Sequence, residues 1–221
     1  MELKIIITGA SGFVGEGVLL ECLSNRRITE VLMVNRRPSD LNHPKLRECI
    51  VPDFMKLDAV RGRLTGYDAC FYCAGISSVG LNEKAYSHIT YDLTLNFAAV
   101  LVALNPSMVF NFISGSHTDG SGRGKVMWAR VKGKTENALK NFPFRQQYNF
   151  RPGFMKPTVG QQHVKRFYRI LGGAYPVLQA LFPNQVCTLR EVGLAMINAV
   201  VTGYPVQTLE VKDIRELAGG G

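Results

Sequence analysis

The sequence predicts an α/β fold: a doubly wound, mostly parallel sheet in the order 3-2-1-4-5-6 plus a late strand, with helices on both faces and a small C-terminal cap. Apolar β-rich runs alternate with longer stretches of helical periodicity, a pattern that needs a parallel sheet covered on both sides. The first apolar run leads straight into a glycine-rich turn that opens a helix. The chain has 221 residues, 46% of them hydrophobic and 19% charged, enough for one substantial core. The segment from about 155 onward is too short for an independent second domain. Residues 1–221 are therefore read as one domain, with about 155–187 and the C-terminal helix forming a cap on the substrate side.

The first strand is placed at 3–8, where Leu3-Lys4-Ile5-Ile6-Ile7 reads as buried on both faces. A helix follows over 13–24, carrying Val18-Leu19-Leu20 and Cys22-Leu23. Further strands are expected at 29–35, 49–51, 69–74, 108–114 and 147–151, with a late one at 207–211. Helical stretches fall near 83–104, 124–142, 162–182 and 189–202. Thr188-Leu189-Arg190-Glu191 reads as a capping box that opens the last of them. Gly219-Gly220-Gly221 reads as a frayed end.

Lys plus Arg (26) exceed Asp plus Glu (17) by nine. The basic residues are scattered and no nucleic-acid motif accompanies them, so charge alone does not establish a nucleic-acid partner. The five cysteines, at 22, 49, 70, 73 and 187, form no disulfide or zinc framework. Cys70 and Cys73 lie on a strand whose alternation turns them to opposite faces, which excludes a working redox pair. His43, His88 and His163 lack ligand spacing, so no metal site is expected. No apolar run reads as a membrane span, and the first strand leaves no room for a leader. The expectation is a cytoplasmic protein.

The turn Thr8-Gly9-Ala10-Ser11-Gly12-Phe13-Val14-Gly15 sits where a dinucleotide's pyrophosphate binds. The free amides and positive dipole end of the helix face the anion, and glycines allow the tight turn and close approach. Strand two ends in Asn35-Arg36-Arg37. A carboxylate at its end would bind ribose hydroxyls and repel a 2′-phosphate; Asn35 removes that repulsion and the arginines attract phosphate. NADP is accordingly favoured over NAD. Asp53 either accepts from the adenine amino group or caps the following turn. Ala74-Gly75 closes strand four and leaves room for a cofactor.

Taken with Cys73-Ala74-Gly75, Asn111-Phe112-Ile113-Ser114-Gly115-Ser116, Val131-Lys132-Gly133-Lys134-Thr135-Glu136, Arg151-Pro152-Gly153 and Ala195-Met196-Ile197-Asn198-Ala199-Val200-Val201, these residues resemble the short-chain dehydrogenase/reductase superfamily. The likeness is to its atypical and extended branch, and most to the Tat-interacting, oxidoreductase-like proteins of the NAD-dependent epimerase/dehydratase type. It implies a Rossmann domain. The implied cofactor positions are Thr8, Gly9, Ser11, Gly12, Phe13, Val14, Gly15, Asn35, Arg36, Arg37, Asp53, Ala74, Gly75, Lys132, Arg151, Pro152 and Gly153. In the superfamily a serine at the end of strand five holds the substrate oxygen. A tyrosine four residues before a lysine moves the proton, and that lysine lowers the phenol pKa and binds the ribose.

Ser116, or Ser114, matches the serine and Lys132 the lysine, but Trp128 stands in the tyrosine position. Positions 128 and 132 share a helix face. Indole donates a hydrogen bond yet has no acid–base chemistry near neutral pH. His117, Asp119, Tyr86, Tyr91 and Tyr148 are the candidate substitutes. Two readings follow. One is an NADP-dependent oxidoreductase with an incomplete Ser-Tyr-Lys set. The other is a dinucleotide-sensing or regulatory protein that binds NADP(H) and a protein partner. The substrate is left open, as is a homodimer. Pocket residues are expected from 76–92, 117–127 and 154–185, where Phe154, Tyr168, Tyr175 and Phe182 line a pocket or belong to the core.

Overall fold

The computed structural model describes residues 2–164 and 175–219. Seven parallel strands form one sheet in the order β3-β2-β1-β4-β5-β6-β9. They are β1 (Leu3–Thr8), β2 (Ile28–Asn35), β3 (Leu46–Ile50), β4 (Ala69–Tyr72), β5 (Val109–Ile113), β6 (Gln146–Phe150) and β9 (Thr208–Leu209). The expected order is thus the observed one, with the late strand on the β6 edge.

Apolar side chains leave the central strands in both directions. Ile5 and Ile7 enter one core with α1 (Phe13–Ser24) and the helices Leu189–Val201 and Val211–Gly219. Ile6, Cys70 and Tyr72 enter the other, with α2 (Glu83–Leu104) and α3 (Met127–Leu139). This two-sided burial explains why β1 reads as a continuous apolar run rather than an alternating one. Asn111 crosses from β5 to donate to the Met196 carbonyl (3.0 Å), pinning the sheet to the Leu189–Val201 helix. The Thr188–Glu191 capping box opens that helix as expected. Cys70 and Cys73 belong to opposite cores, and burial raises both thiol pKa values, so neither is a ready thiolate.

Several elements depart from expectation. α2 contains a π-helical turn at His88–Asp92. It is also long and apolar enough to cross a membrane by length and composition, which the sequence reading had excluded for every run. Here Thr94, Phe97, Ala98 and Leu101 pack it onto the sheet. α3 begins at Met127, not 124, because Asp119 binds the Gly124 amide and holds the preceding residues as a loop. Residues 165–174 of the helix expected at 162–182 lie outside the described residues, as does Tyr168. Of the rest, 162–164 are not helical and Tyr175–Leu181 forms α4. Before and after it, β7 (Phe154–Lys156) and β8 (Val186–Thr188) pair in parallel as a separate two-stranded sheet. Leu189–Val201 is α5, and the unexpected last helix Val211–Gly219 is α6.

Candidate functional site

Because every strand of the main sheet is parallel, the carboxyl ends of β1, β2, β4, β5 and β6 lie along one edge. The glycine turn occupies its centre. Gly9 has φ +69°, and a Cβ there would meet the Ala74 amide nitrogen at 2.6 Å. At Gly15 a Cβ would strike the Gly9 carbonyl oxygen at 2.1 Å. Those two glycines let β1, β4 and α1 converge. Gly12 differs: a Cβ there meets only the Gly9 oxygen, at 3.2 Å. Gly12 is also the N-cap of α1 and carries no capping side chain, so the helix start is open to an anion. Gly75, beyond β4, has nothing within 4 Å of its Cβ position. Thr8 serves the frame: its hydroxyl accepts from the Ala74 amide (3.2 Å). An open cradle at an uncapped helix start fits a dinucleotide's pyrophosphate. Gly12 and the first residues of α1 would hold it.

Asn35 ends β2 and is buried, while Arg36 and Arg37 are exposed. Neither arginine forms an ion pair among the described residues. Asp53 caps its own turn, accepting from the Met55 amide (2.9 Å).

At the end of β5, Ser114 Oγ lies 3.1 Å from Thr118 Oγ1, and Thr118 donates to the Gly115 carbonyl (2.7 Å). Ser114 must therefore be the donor of that pair, so its proton is engaged inside the turn. Among the described residues Ser116 is tied only through its amide, to the Pro152 carbonyl (3.2 Å), which leaves Ser116 the more available hydroxyl. His117 is exposed and has φ +65°, the one non-glycine residue at positive φ among the described residues. Such strain gathers at functional turns.

α3 directs two of the expected residues to this strand end. A Cβ on Gly115 would lie 3.6 Å from the Trp128 ring. One turn further along, the Lys132 ammonium donates to the carbonyls of Ile113 (3.2 Å) and Ser114 (3.1 Å). It also lies 5.5 Å from the centre of the Phe112 ring. Burial lowers the Lys132 pKa to about 8, against an opposing pull from Glu136.

The shift has a sign that a denaturation series can read. Unfolded lysine keeps its proton up to about 10.5, so between about 8 and 10.5 the unfolded state binds more protons and stability rises with pH. Lys132→Met removes this titration. Between pH 7 and pH 9.5 the stability difference between wild type and variant should shift by about 2 kcal/mol in favour of the wild type. A difference that stays flat with pH would mean the ammonium is not desolvated.

The substitute acids separate clearly. Asp119 accepts from the Ser121 amide (3.0 Å) and hydroxyl (2.6 Å) and from the Gly124 amide (2.6 Å). The Ser121 hydroxyl and these amides lower its pKa, so it stays a carboxylate. Tyr148 lies on the other side of β6, where its hydroxyl donates to the Tyr204 carbonyl (3.2 Å) and accepts from the Tyr204 amide (2.8 Å). Tyr86 is buried, which raises its pKa. Tyr91 packs its ring 4.4 Å from Lys134 Nζ. His117 alone is both exposed and adjacent to Ser116.

The Arg151-Pro152-Gly153 segment is tied into the frame. Arg151 binds Glu136 through two hydrogen bonds (2.6 and 2.9 Å) and pairs with Glu210 (3.0 Å). A Cβ at Gly153 would lie 2.0 Å from the Gln185 carbonyl oxygen, so glycine is what lets those segments pass. Sequence reasoning missed Thr118 and Glu136, and also Glu16 of α1. The Glu16 carboxylate accepts from the backbone amides of Gln162 (2.6 Å) and His163 (2.7 Å). Only the separation of these residues along the chain hid that contact.

A parallel sheet with a glycine cradle at its centre and a serine and a lysine at the neighbouring strand end defines a dinucleotide-binding α/β protein of the reductase and epimerase kind. The chain belongs to the NAD dependent epimerase/dehydratase family, whose profile matches residues 5–146. It is 27% identical over 154 residues to Protein HTATIP2 of Rattus norvegicus, a match covering 69% of this chain and 62% of that protein. The chain thus matches less than two thirds of that relative's length. Among solved structures, it resembles the Bordetella bronchiseptica enzyme WbmF in complex with NAD+ (TM-score 0.65, 14% identity, 99% of this chain and 77% of that one). It also resembles the UDP-N-acetylglucosamine 4-epimerase of Methanobrevibacter ruminantium M1 (TM-score 0.66, 15% identity, 97% and 80%). Uronate dehydrogenase from Agrobacterium tumefaciens is similar as well (TM-score 0.64, 16% identity, 95% and 75%). At these identities the structures speak for the fold.

Proposed function

We propose that this chain is an NADP(H)-binding, oxidoreductase-like protein of the atypical short-chain dehydrogenase type, cytoplasmic and acting on a small molecule. The observation that carries the reading is the open face of Gly12 at the uncapped start of α1, with Arg36 and Arg37 at the end of the adjacent strand exposed and, among the described residues, without ion pairs. A nicotinamide dinucleotide is the cofactor class for which the family is named. The choice of NADP rests on the two arginines and on Asn35 in place of a carboxylate.

Held by Gly12 and the first residues of α1, the dinucleotide would supply or accept a hydride at a carbonyl or alcohol carbon. The chain's own part is to hold the reacting oxygen and place the ribose. Ser116 hydrogen-bonds the substrate oxygen. Lys132 contributes positive charge and a ribose contact. Trp128 stacks or donates a hydrogen bond but releases no proton near neutral pH. His117 is the side chain placed to exchange one.

Calorimetric titration tests the cofactor choice. NADPH should bind more tightly than NADH. The Arg36→Ala, Arg37→Ala double variant should lose roughly 10- to 100-fold in NADPH affinity, the worth of one charge-assisted contact or slightly more. Equal affinities, or an unaffected double variant, would refute the assignment.

Trp128 itself favours a second reading: a dinucleotide-sensing or regulatory protein that binds NADP(H) and a protein partner without turnover. It keeps the same cradle and lacks only the chemistry.

A further inference from the structure

We infer that Glu16 is a positioning residue that fastens residues 157–163 as a strap beside the pyrophosphate cradle, and that this strap sets how fast the dinucleotide leaves. The inference rests on the dinucleotide reading above. Glu16 stands in the first turn of α1, three residues after Phe13, with 11% of its side chain exposed. A carboxylate there is drawn to the positive end of the helix and competes with an incoming pyrophosphate for the same amides. The structure turns it away. Oε1 accepts from the Gln162 amide (2.6 Å) and Oε2 from the His163 amide (2.7 Å), with His163 Nδ1 3.2 Å from Oε2.

A second tie sits even nearer the cradle. Gln161 Nε2 donates to the Phe13 carbonyl (2.8 Å), one residue from Gly12 and its open face. The same side chain accepts from the Thr158 amide (2.7 Å), which closes the strap on itself. Two side chains from opposite partners, Glu16 and Gln161, therefore hold the segment to the first turn of α1. The rest of the strap contributes little apolar anchoring: Val159 is 98% exposed. Among the described residues Thr158 Oγ1 is buried without a partner, a hydroxyl that a ligand or a shift of the strap would satisfy. A segment bordering the cradle and held by so few contacts opens locally far more often than the sheet does. Opening it uncovers the side of the helix start.

The test combines three measurements on the full chain. Calorimetry first establishes that the wild type binds NADPH. Stopped-flow fluorescence then gives the NADPH release rate for wild type, Glu16→Ala and Gln161→Ala. Proteinase K with mass-spectrometric mapping reads cleavage within 157–163. Both variants should release NADPH at least about tenfold faster, equivalent to one well-formed hydrogen bond or more, and be cut sooner in the strap. Gln161→Ala alters only the strap side and so guards against a Glu16 variant that folds poorly. Faster cleavage with release still at the wild-type rate would overturn the inference and leave the dinucleotide reading standing. Release or cleavage unchanged in both variants would overturn it too. A wild type that binds no NADPH would instead remove the dinucleotide reading, and the strap's role with it.

Discussion

Gly12→Val should abolish dinucleotide binding while leaving the fold standing. The contrast among the glycines of one turn is the basis. A valine Cβ at position 12 meets one backbone oxygen at 3.2 Å, a contact that a small shift relieves. Its methyl groups then occupy the open face against which a pyrophosphate would lie. At position 15 the first added carbon would sit 2.1 Å from the Gly9 oxygen, and at position 9 it would strike β4 in a backbone conformation that disfavours side chains. Those substitutions attack the packing of α1 against the sheet; Gly12→Val attacks the site. Loss of two charge-assisted contacts at roughly 1.5 kcal/mol each weakens binding by about 100-fold or more. NADPH titration should show that loss beside a thermal transition within a few degrees of wild type, and Gly15→Val should fail to fold. A Gly12→Val protein that keeps wild-type affinity would place the phosphate site elsewhere.

The glycine turn was legible in the sequence because its constraints are local: one strand, one tight turn and one helix start, all within the first 24 residues. The strand order was legible because β1, β4 and β5 are buried on both faces and, Lys4 and Asn111 apart, read as apolar runs. What escaped depends on contacts distant in the chain. β7 and β8 are three residues each, and they exist where Gly153 lets the chain pass under Gln185. α6 did carry a local signal, with Val211, Ile214 and Leu217 buried at helical spacing. The expected strand at 207–211 took its first residue. Only Thr208 and Leu209 pair with β6, at Asn149 and Phe150.

The site divides in the same way. Lys132 and Trp128 reach the same strand end because they share a helix face, which spacing alone revealed. Arg151 matched a motif, yet its guanidinium is held by Glu136 of α3 and by Glu210, between β9 and α6, neither of which the motif contains. Tyr148 looked like a spare acid by composition; strand alternation turns it toward Tyr204. Glu16 was invisible for a related reason. An acid in the first turn of a helix is ordinary, and nothing nearby announced that its partners lie at 162 and 163.

If no other side chain supplies the proton, Trp128→Tyr should raise NADPH-dependent reduction of generic quinones or aldehydes above the wild-type rate, by about 10²- to 10⁴-fold. Position 128 lies one helical turn before Lys132, and both side chains approach residues 113–115, at and just beyond the end of β5. A phenol there would stand beside an ammonium that keeps its proton up to about pH 8, and the charge would favour phenolate and lower the tyrosine pKa. Tyrosine is also smaller than tryptophan, so the change enlarges the space above Gly115 without overpacking it. The comparison with wild type separates the two functional readings. If His117 already moves the proton, the wild type should turn over, Trp128→Tyr should add little and His117→Ala should remove most of the rate. If the acid is simply missing, the wild type should be nearly silent and the tyrosine variant active. A wild type and a variant that both bind NADPH and both stay silent would count against a reductase site. That outcome would leave the reading of a dinucleotide-binding protein without turnover ahead.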